Sequence, residues 1–300
     1  MRQLAVILFV LLQAAVVRAD SARDDAMLIG NSLTRDAVPA LMDGTVDYHV
    51  DCDVSLPYIY ANPDAPCVAT STLWPGALSA KQYKYLAVQP HDDSVANNVA
   101  VISQWMAMQP NAILIIHQAW APHIQFESEY HTTDSPTEGA EWTRSPAFFA
   151  DLAKRLRAID PDRKIRFTRT ADALDLIYHD IENGQAPYDS FDELYRDDIH
   201  MGTGESDSDD ASGRYLVHNL MRFALDQPFS AVGFEDLPSD RKTYLDGVLA
   251  SVTASADSRP VTPVVYGLVA VIIAGLLILA KRPLESITGL SKSPKKTSET

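Results

Sequence analysis

The chain has 300 residues, with 40 acidic side chains against 25 basic ones and a formal charge of -15. Hydrophobic residues make up 46%, enough for a packed core, so wholesale disorder is excluded. The acidic surplus argues against nucleic acid as a partner, because phosphate backbones need clustered Lys and Arg, and two cysteines cannot build a disulfide-dense scaffold or a four-cysteine zinc site.

Residues 1–19 hold two arginines and no acid around an apolar run, and Val17-Arg18-Ala19 offers small residues for cleavage after Ala19. This reads as a secretory signal peptide, with an uncleaved anchor as the alternative. Residues 26–30 (AMLIG) suit a buried strand that ends in a Gly30-Asn31-Ser32 turn. A short helix is expected over 36–42 and a second strand over 45–50. Residues 51–79 are rich in Pro, Asp and Ser and carry both cysteines, so they read as a long loop region.

Residues 83–89 read as a strand and 95–108 as a helix. The run AILIIH over 112–117 suits a parallel strand buried on both faces. Residues 121–143 are polar and irregular. An amphipathic helix follows over 146–159, then a strand over 164–168 and a helix over 171–181. Residues 186–212 are acidic and loop-like, and 214–225 and 241–252 close the domain as helices. Strands alternating with helices predict parallel βαβ units: an α/β fold, three-layer α/β/α with a parallel flavodoxin-like sheet.

The domain is expected over 20–250, with a linker over 251–263. Residues 264–280 (VVYGLVAVIIAGLLILA) are uncharged and apolar and run into Lys281 and Arg282. This reads as a transmembrane helix, with a buried core helix as the alternative. The tail over 281–300 carries a net +3. Removing it and the two leader arginines from -15 leaves -20 on residues 20–280. The expectation is a single-pass membrane protein with an extracytoplasmic domain, periplasmic or at the cell surface, and a cytoplasmic tail. In an oxidising compartment Cys52 and Cys67 are expected to pair, two free thiols being the alternative.

Ligands of parallel α/β sheets bind beyond the carboxyl ends of strands. Ser32 sits there, in a turn that exposes its hydroxyl and aims helix-start amides at a bound oxygen, unless it merely caps the next helix. A serine needs a base and the base an orienting group. Of eight histidines, His200 has an acid three residues earlier, Asp197, whose carboxylate can fold back on the imidazole; Asp198 competes.

These blocks resemble those of the SGNH or GDSL-type hydrolases. Gly30-Asn31-Ser32-Leu33 is similar to the family's Gly-Asp-Ser-Leu turn, with Asn in place of Asp, and Asp197 to His200 is similar to its Asp-x-x-His block. The resemblance covers residues 26–225. It implies a serine esterase in which Ser32 attacks, His200 moves the proton and Asp197 orients the imidazole, with no cofactor and no metal. The family's Gly-x-Asn-Asp segment is missing. Val88-Gln89-Pro90-His91 and His117-Gln118-Ala119-Trp120 look like a subgroup that replaces it.

On that resemblance the oxyanion hole is expected from Ser32, Gln89 and Gly76, with His91 the rival of Gln89. Trp120 and His91 are the substrate-pocket candidates, Trp120 for stacking on a sugar ring. A small-molecule or glycan ester is the implied partner. A silent domain of this fold that binds glycan or another envelope partner is the alternative. His123 and His131 lack metal-ligand spacing, and residues 205–210 (ESDSDD) lack the Gly and Glu of a calcium loop.

Overall fold

The computed structural model describes residues 25–132, 144–204 and 210–254. Five short strands form one parallel sheet in the order β2-β1-β3-β4-β5: β1 (Ala26–Gly30), β2 (Val46–Val50), β3 (Tyr85–Val88), β4 (Ile113–Ile116) and β5 (Ile165–Phe167). The order reverses between β1 and β3, and ligands of doubly wound sheets bind beyond the carboxyl ends at such a reversal. Side-chain alternation splits the central strands β1, β3 and β4 between two cores. Ala26 and Leu28 face one side with Tyr85, Ala87 and Ile115; Met27 and Ile29 face the other with Leu86, Val88, Leu114 and Ile116.

Helices cover both faces, as the βαβ pattern predicts. One face takes α1 (Leu33–Asp36), α5 (Phe126–Tyr130), α7 (Thr170–Glu182), α8 (Ser212–Ala224) and α9 (Ser239–Ala254). The other takes α2 (Leu56–Ala61), α3 (Trp74–Ala80), α4 (Val95–Met108) and α6 (Pro146–Ile159). Ser94 and Ser145 cap α4 and α6 by accepting the N–H groups of Asn97 and Phe148.

Three local expectations change. The helix after β1 begins earlier and stops at Asp36; Val38 is left-handed (φ 48°) and Pro39 starts a separate 3-10 turn over Pro39–Leu41. Residues 51–79 are not a loop throughout, because they contain α2 and α3. Their prolines occupy the first helical turn, where a missing N–H costs nothing. Trp74 locks this region to the core by stacking on Tyr60 at 5.1 Å and meeting Trp105 edge-on at 5.6 Å. Within 121–143, residues Phe126–Tyr130 form α5.

The membrane assignment is corrected. Among the described residues no helix is long and apolar enough to cross a membrane. The longest, α9, has 16 residues and carries Asp240, Arg241, Lys242 and Asp246, so it packs on the core by one apolar stripe. Residues 264–280 and the leader over 1–19, on which the single-pass topology and the bilayer contact rested, lie outside the described residues. So do 205–209, the core of the calcium-like segment, and most of the linker over 251–263.

Cys52 and Cys67 are bonded, with Cα atoms 5.6 Å apart and a sequence separation of 15. Closing a loop of that length restricts the unfolded chain, a stabilisation of about 3 kcal/mol. The double variant Cys52→Ser/Cys67→Ser should lose about that much unfolding free energy in a urea titration, with β1 and α4 unaffected in structure.

Candidate active site

Gly30 ends β1 and the chain turns at once. A Cβ on Gly30 would stand 2.3 Å from Thr34 Oγ1 and 2.6 Å from Gln89 Cβ, so only glycine lets the turn close against β3. Gln89, the first residue after β3, fixes that turn with its carbonyl end. Its Oε1 accepts the Asn31 N–H at 3.0 Å and the Thr34 hydroxyl at 3.2 Å, while its Nε2 donates to the Pro90 carbonyl at 3.3 Å. Asn31 Oδ1 in turn accepts the Leu33 N–H at 3.0 Å.

Ser32 stands at the N-cap of α1, yet its side chain makes no capping bond. Its Oγ lies 2.8 Å from His200 Nε2 instead. The other imidazole nitrogen, Nδ1, is 3.0 Å from both Asp197 oxygens. Asp197 Oδ1 also accepts the N–H groups of Ile199 at 3.0 Å and His200 at 2.8 Å. Partial burial works against the charge of Asp197, but those two N–H groups and the facing imidazole outweigh it, holding the carboxyl below its ordinary range. Of the two aspartates that competed on spacing, Asp197 meets the ring, whereas the Asp198 carbonyl accepts the His123 N–H at 3.0 Å. The Ser32 N–H has no hydrogen-bond partner among the described residues.

The loop that carries His200 is held from four sides. Tyr195 and Met201 form an antiparallel bridge, and the Gly202 N–H reaches the Leu194 carbonyl at 2.8 Å. Trp120 Nε1 donates to the Ile199 carbonyl at 2.7 Å. Gly213 lets the start of α8 press on this loop: a Cβ there would stand 2.2 Å from the Leu194 carbonyl oxygen. The fourth hold is the Asp36 carboxylate at the end of α1. It accepts the Met201 N–H at 3.0 Å and Arg214 Nε at 3.2 Å. Burial pushes the Asp36 carboxyl above its ordinary range, against the pull of Met201 and Arg214.

Two pocket expectations are corrected. Trp120 is fully buried, so its ring offers no face to a sugar, and its N–H is spent on the Ile199 carbonyl. His91 is buried with Nε2 on Asp92 Oδ2 at 2.7 Å and does not line an open pocket. Gly76 lies inside α3, where a Cβ would meet nothing within 4 Å, so it forms no close wall around an oxygen. Asp36 and Arg214 carry little signal in the sequence: Asp36 follows Ser32 by one helical turn, but beside Arg35 it looks like an ordinary surface charge.

His117, at the end of β4, is structural in its surroundings. Its Nδ1 is 3.1 Å from Thr168 Oγ1, which also accepts the Gln118 N–H at 3.1 Å and meets Thr170 Oγ1 at 3.0 Å. Burial pushes its imidazole down to about 4, with the Leu33 backbone pulling weakly the other way. A separate group of metal-capable side chains, His131, Asp175 and His179, lies just past the end of α5 and on α7.

No family model matches the chain, and no curated protein does. Solved structures are similar to it. A DUF4886 family protein from Bacteroides uniformis is 15% identical over 78% of this chain and 96% of its own, with a TM-score of 0.49. A member of the lipolytic protein G-D-S-L family from Veillonella parvula is 9% identical over 65% of this chain and 94% of its own, with a TM-score of 0.37.

Replacing Asp36 by Ala leaves the Met201 N–H without its acceptor in a buried place and the half-buried Arg214 without its partner. Unfolding free energy should fall by about 1–3 kcal/mol; no loss in urea titration would show that both groups find other partners. His117 adds a pH dependence. Its folded value lies below the usual 6.5, so the unfolded chain binds more protons between them. Stability is full above pH 6.5 and falls as pH drops toward about 4, by about 3 kcal/mol from this residue. Urea midpoints measured at pH 7 and pH 4.5 should differ less in His117→Gln than in the parent chain.

Proposed function

We propose that the chain is a serine hydrolase that cleaves a carboxylic ester through Ser32, His200 and Asp197. The observation that carries this reading is the 2.8 Å contact of Ser32 Oγ with His200 Nε2, with Nδ1 of the same ring on Asp197. A serine that merely capped its helix would direct its oxygen at the N–H groups of α1, and Ser32 does not.

In the proposed reaction Ser32 Oγ attacks the acyl carbon while His200 Nε2 takes its proton. Asp197 keeps the Nδ1 proton facing itself and stabilises the imidazolium that forms. The tetrahedral oxyanion receives the unpartnered Ser32 N–H. His200 then hands its proton to the departing alcohol oxygen as the carbon–oxygen bond breaks. Water repeats the sequence on the acyl-serine, releasing the acid and restoring Ser32. Losing one oxyanion donor would raise the barrier by about 3–4 kcal/mol.

The Gln89 carbonyl oxygen is committed to Asn31 and Thr34, which suits a positioning role for that residue. A role as second oxyanion donor would need its Nε2, which donates to the Pro90 carbonyl. On the family resemblance the acyl group is small, acetyl on a carbohydrate being the first substrate to try. The acidic surplus of the chain favours a neutral or cationic ester over an anionic one.

The test is turnover of p-nitrophenyl acetate by the parent chain, Ser32→Ala and Asp197→Asn. Ser32→Ala should fall to the background rate. Asp197→Asn should keep KM and lose about 10³ to 10⁴ in kcat, as expected when the ring is held in the wrong tautomer. Equal rates in parent and Ser32→Ala, or no turnover from either, would overturn the esterase; the second result would favour the binding-only domain.

A further inference from the structure

Asp175 and His179 stand one turn apart on α7, so their side chains leave the same face of that helix. His131 reaches them from another segment. It follows α5 directly, and its backbone N–H is held by the Glu127 carbonyl at 3.0 Å. The end of α5 is tied to α7 by Tyr130, whose hydroxyl donates to Asp172 Oδ1 at 2.7 Å, and by the Phe126 and Tyr178 rings, 6.4 Å apart. Two imidazoles and one carboxylate therefore converge, with one donor atom from each lying within 4.8 Å of the others.

Asp175 Oδ1 is 2.8 Å from His131 Nε2 and 3.6 Å from His179 Nε2. Ligands about 2.0–2.1 Å from a tetrahedral zinc ion stand about 3.3 Å from one another, and the two separations straddle that value. Asp175 is buried, whereas the two histidine side chains are 45% and 50% exposed. The carboxylate is thus fixed in the fold, and the imidazoles close over it from the solvent side. The His131 imidazole pairs with Asp175 Oδ1, and His179 Nε2 stands just beyond hydrogen-bond reach of the same oxygen. A buried carboxylate faced by two imidazoles is well served by a cation that all three share. Asp172 is already committed to Tyr130 and Arg169, so it orients the helix face without joining the set.

We propose that His131, Asp175 and His179 bind one divalent transition-metal ion, zinc above all, with the fourth position open to water. Two imidazoles and one carboxylate suit zinc, whereas calcium and magnesium take oxygen ligands. The site shares no residue with Ser32, His200 or Asp197. Its effect is to staple the end of α5 to the middle of α7.

The test is calorimetric titration of the full chain with zinc chloride in a chelator-free buffer, with magnesium chloride as the comparison. One zinc per chain is expected, and the thermal midpoint should rise with zinc and not with magnesium. His131→Gln and His179→Gln remove half-exposed side chains, and their zinc-free melts report whether they fold. Each should weaken zinc binding about tenfold or more and abolish the thermal shift. Cobalt(II) should give the parent chain a visible absorption band that both variants lose. Substoichiometric binding, or an affinity unchanged in both variants, would place the ion on other surface histidines and overturn the site. None of these readouts depends on the esterase reading.

Discussion

The carboxylate of Asp36 joins two parts of the chain that the candidate chemistry needs together. It sits at the end of the short helix that begins beside Ser32, and it grips the backbone of Met201, the neighbour of His200. Burying a carboxylate is costly, and here Arg214 and a backbone N–H offset part of the cost. Such an arrangement adds little net stability, but it tolerates few alternatives: another placement of the His200 loop would take the Met201 N–H away from the buried Asp36 carboxylate. The 2.8 Å approach of Ser32 and His200 is the consequence of that restriction, because neither side chain is strong enough to align a loop 168 residues away by itself.

Around that restraint the fold supplies stiff surroundings. Gln89 binds the Ser32 turn through its carbonyl oxygen, at the place where strand order reverses. Trp120 and His123 extend from the end of β4 to hold the Ile199 and Asp198 carbonyls. Two glycines allow the close approaches. Gly30 lets the turn meet Gln89, and Gly213 lets α8 meet the loop at Leu194. The imidazole is therefore positioned mainly by groups that would never touch a substrate.

How much of this was legible in the sequence follows from the range of the forces involved. The helices α4 and α6 were legible to the residue, because Ser94 and Ser145 cap them and their apolar spacing is local. The parallel sheet was legible from uninterrupted apolar runs such as AILIIH. Ser32, Asp197 and His200 stand in two short blocks that resemble those of a known family, and the fold brings the three side chains together. Helices α2 and α3 were hidden, since Pro57 and Pro75 look like loop residues until their place in a first turn is known. The roles of Trp120, Gln89 and Asp36 were hidden for a different reason. Each depends on a partner far along the chain: Ile199 for Trp120, Asn31 for Gln89 and Met201 for Asp36.

The same limit explains the histidines of α5 and α7. His131 has no second histidine or cysteine within a helical turn in sequence, and its partners appear only when α5 packs on α7. That packing is not isolated from the rest of the molecule. The first turn of α7 carries Thr170, which meets Thr168 and through it His117 and the Gln118 backbone. The same segment continues to Trp120, which holds the Ile199 carbonyl next to His200. One helix thus ends a chain of contacts that begins beside His200, and Asp175 and His179 lie farther along it, with His131 reaching them from the end of α5. A clamp on α7 at that point restrains the helix whose first turn anchors the β4 loop, so its effect would fall on the stability of the scaffold and leave the reacting atoms untouched.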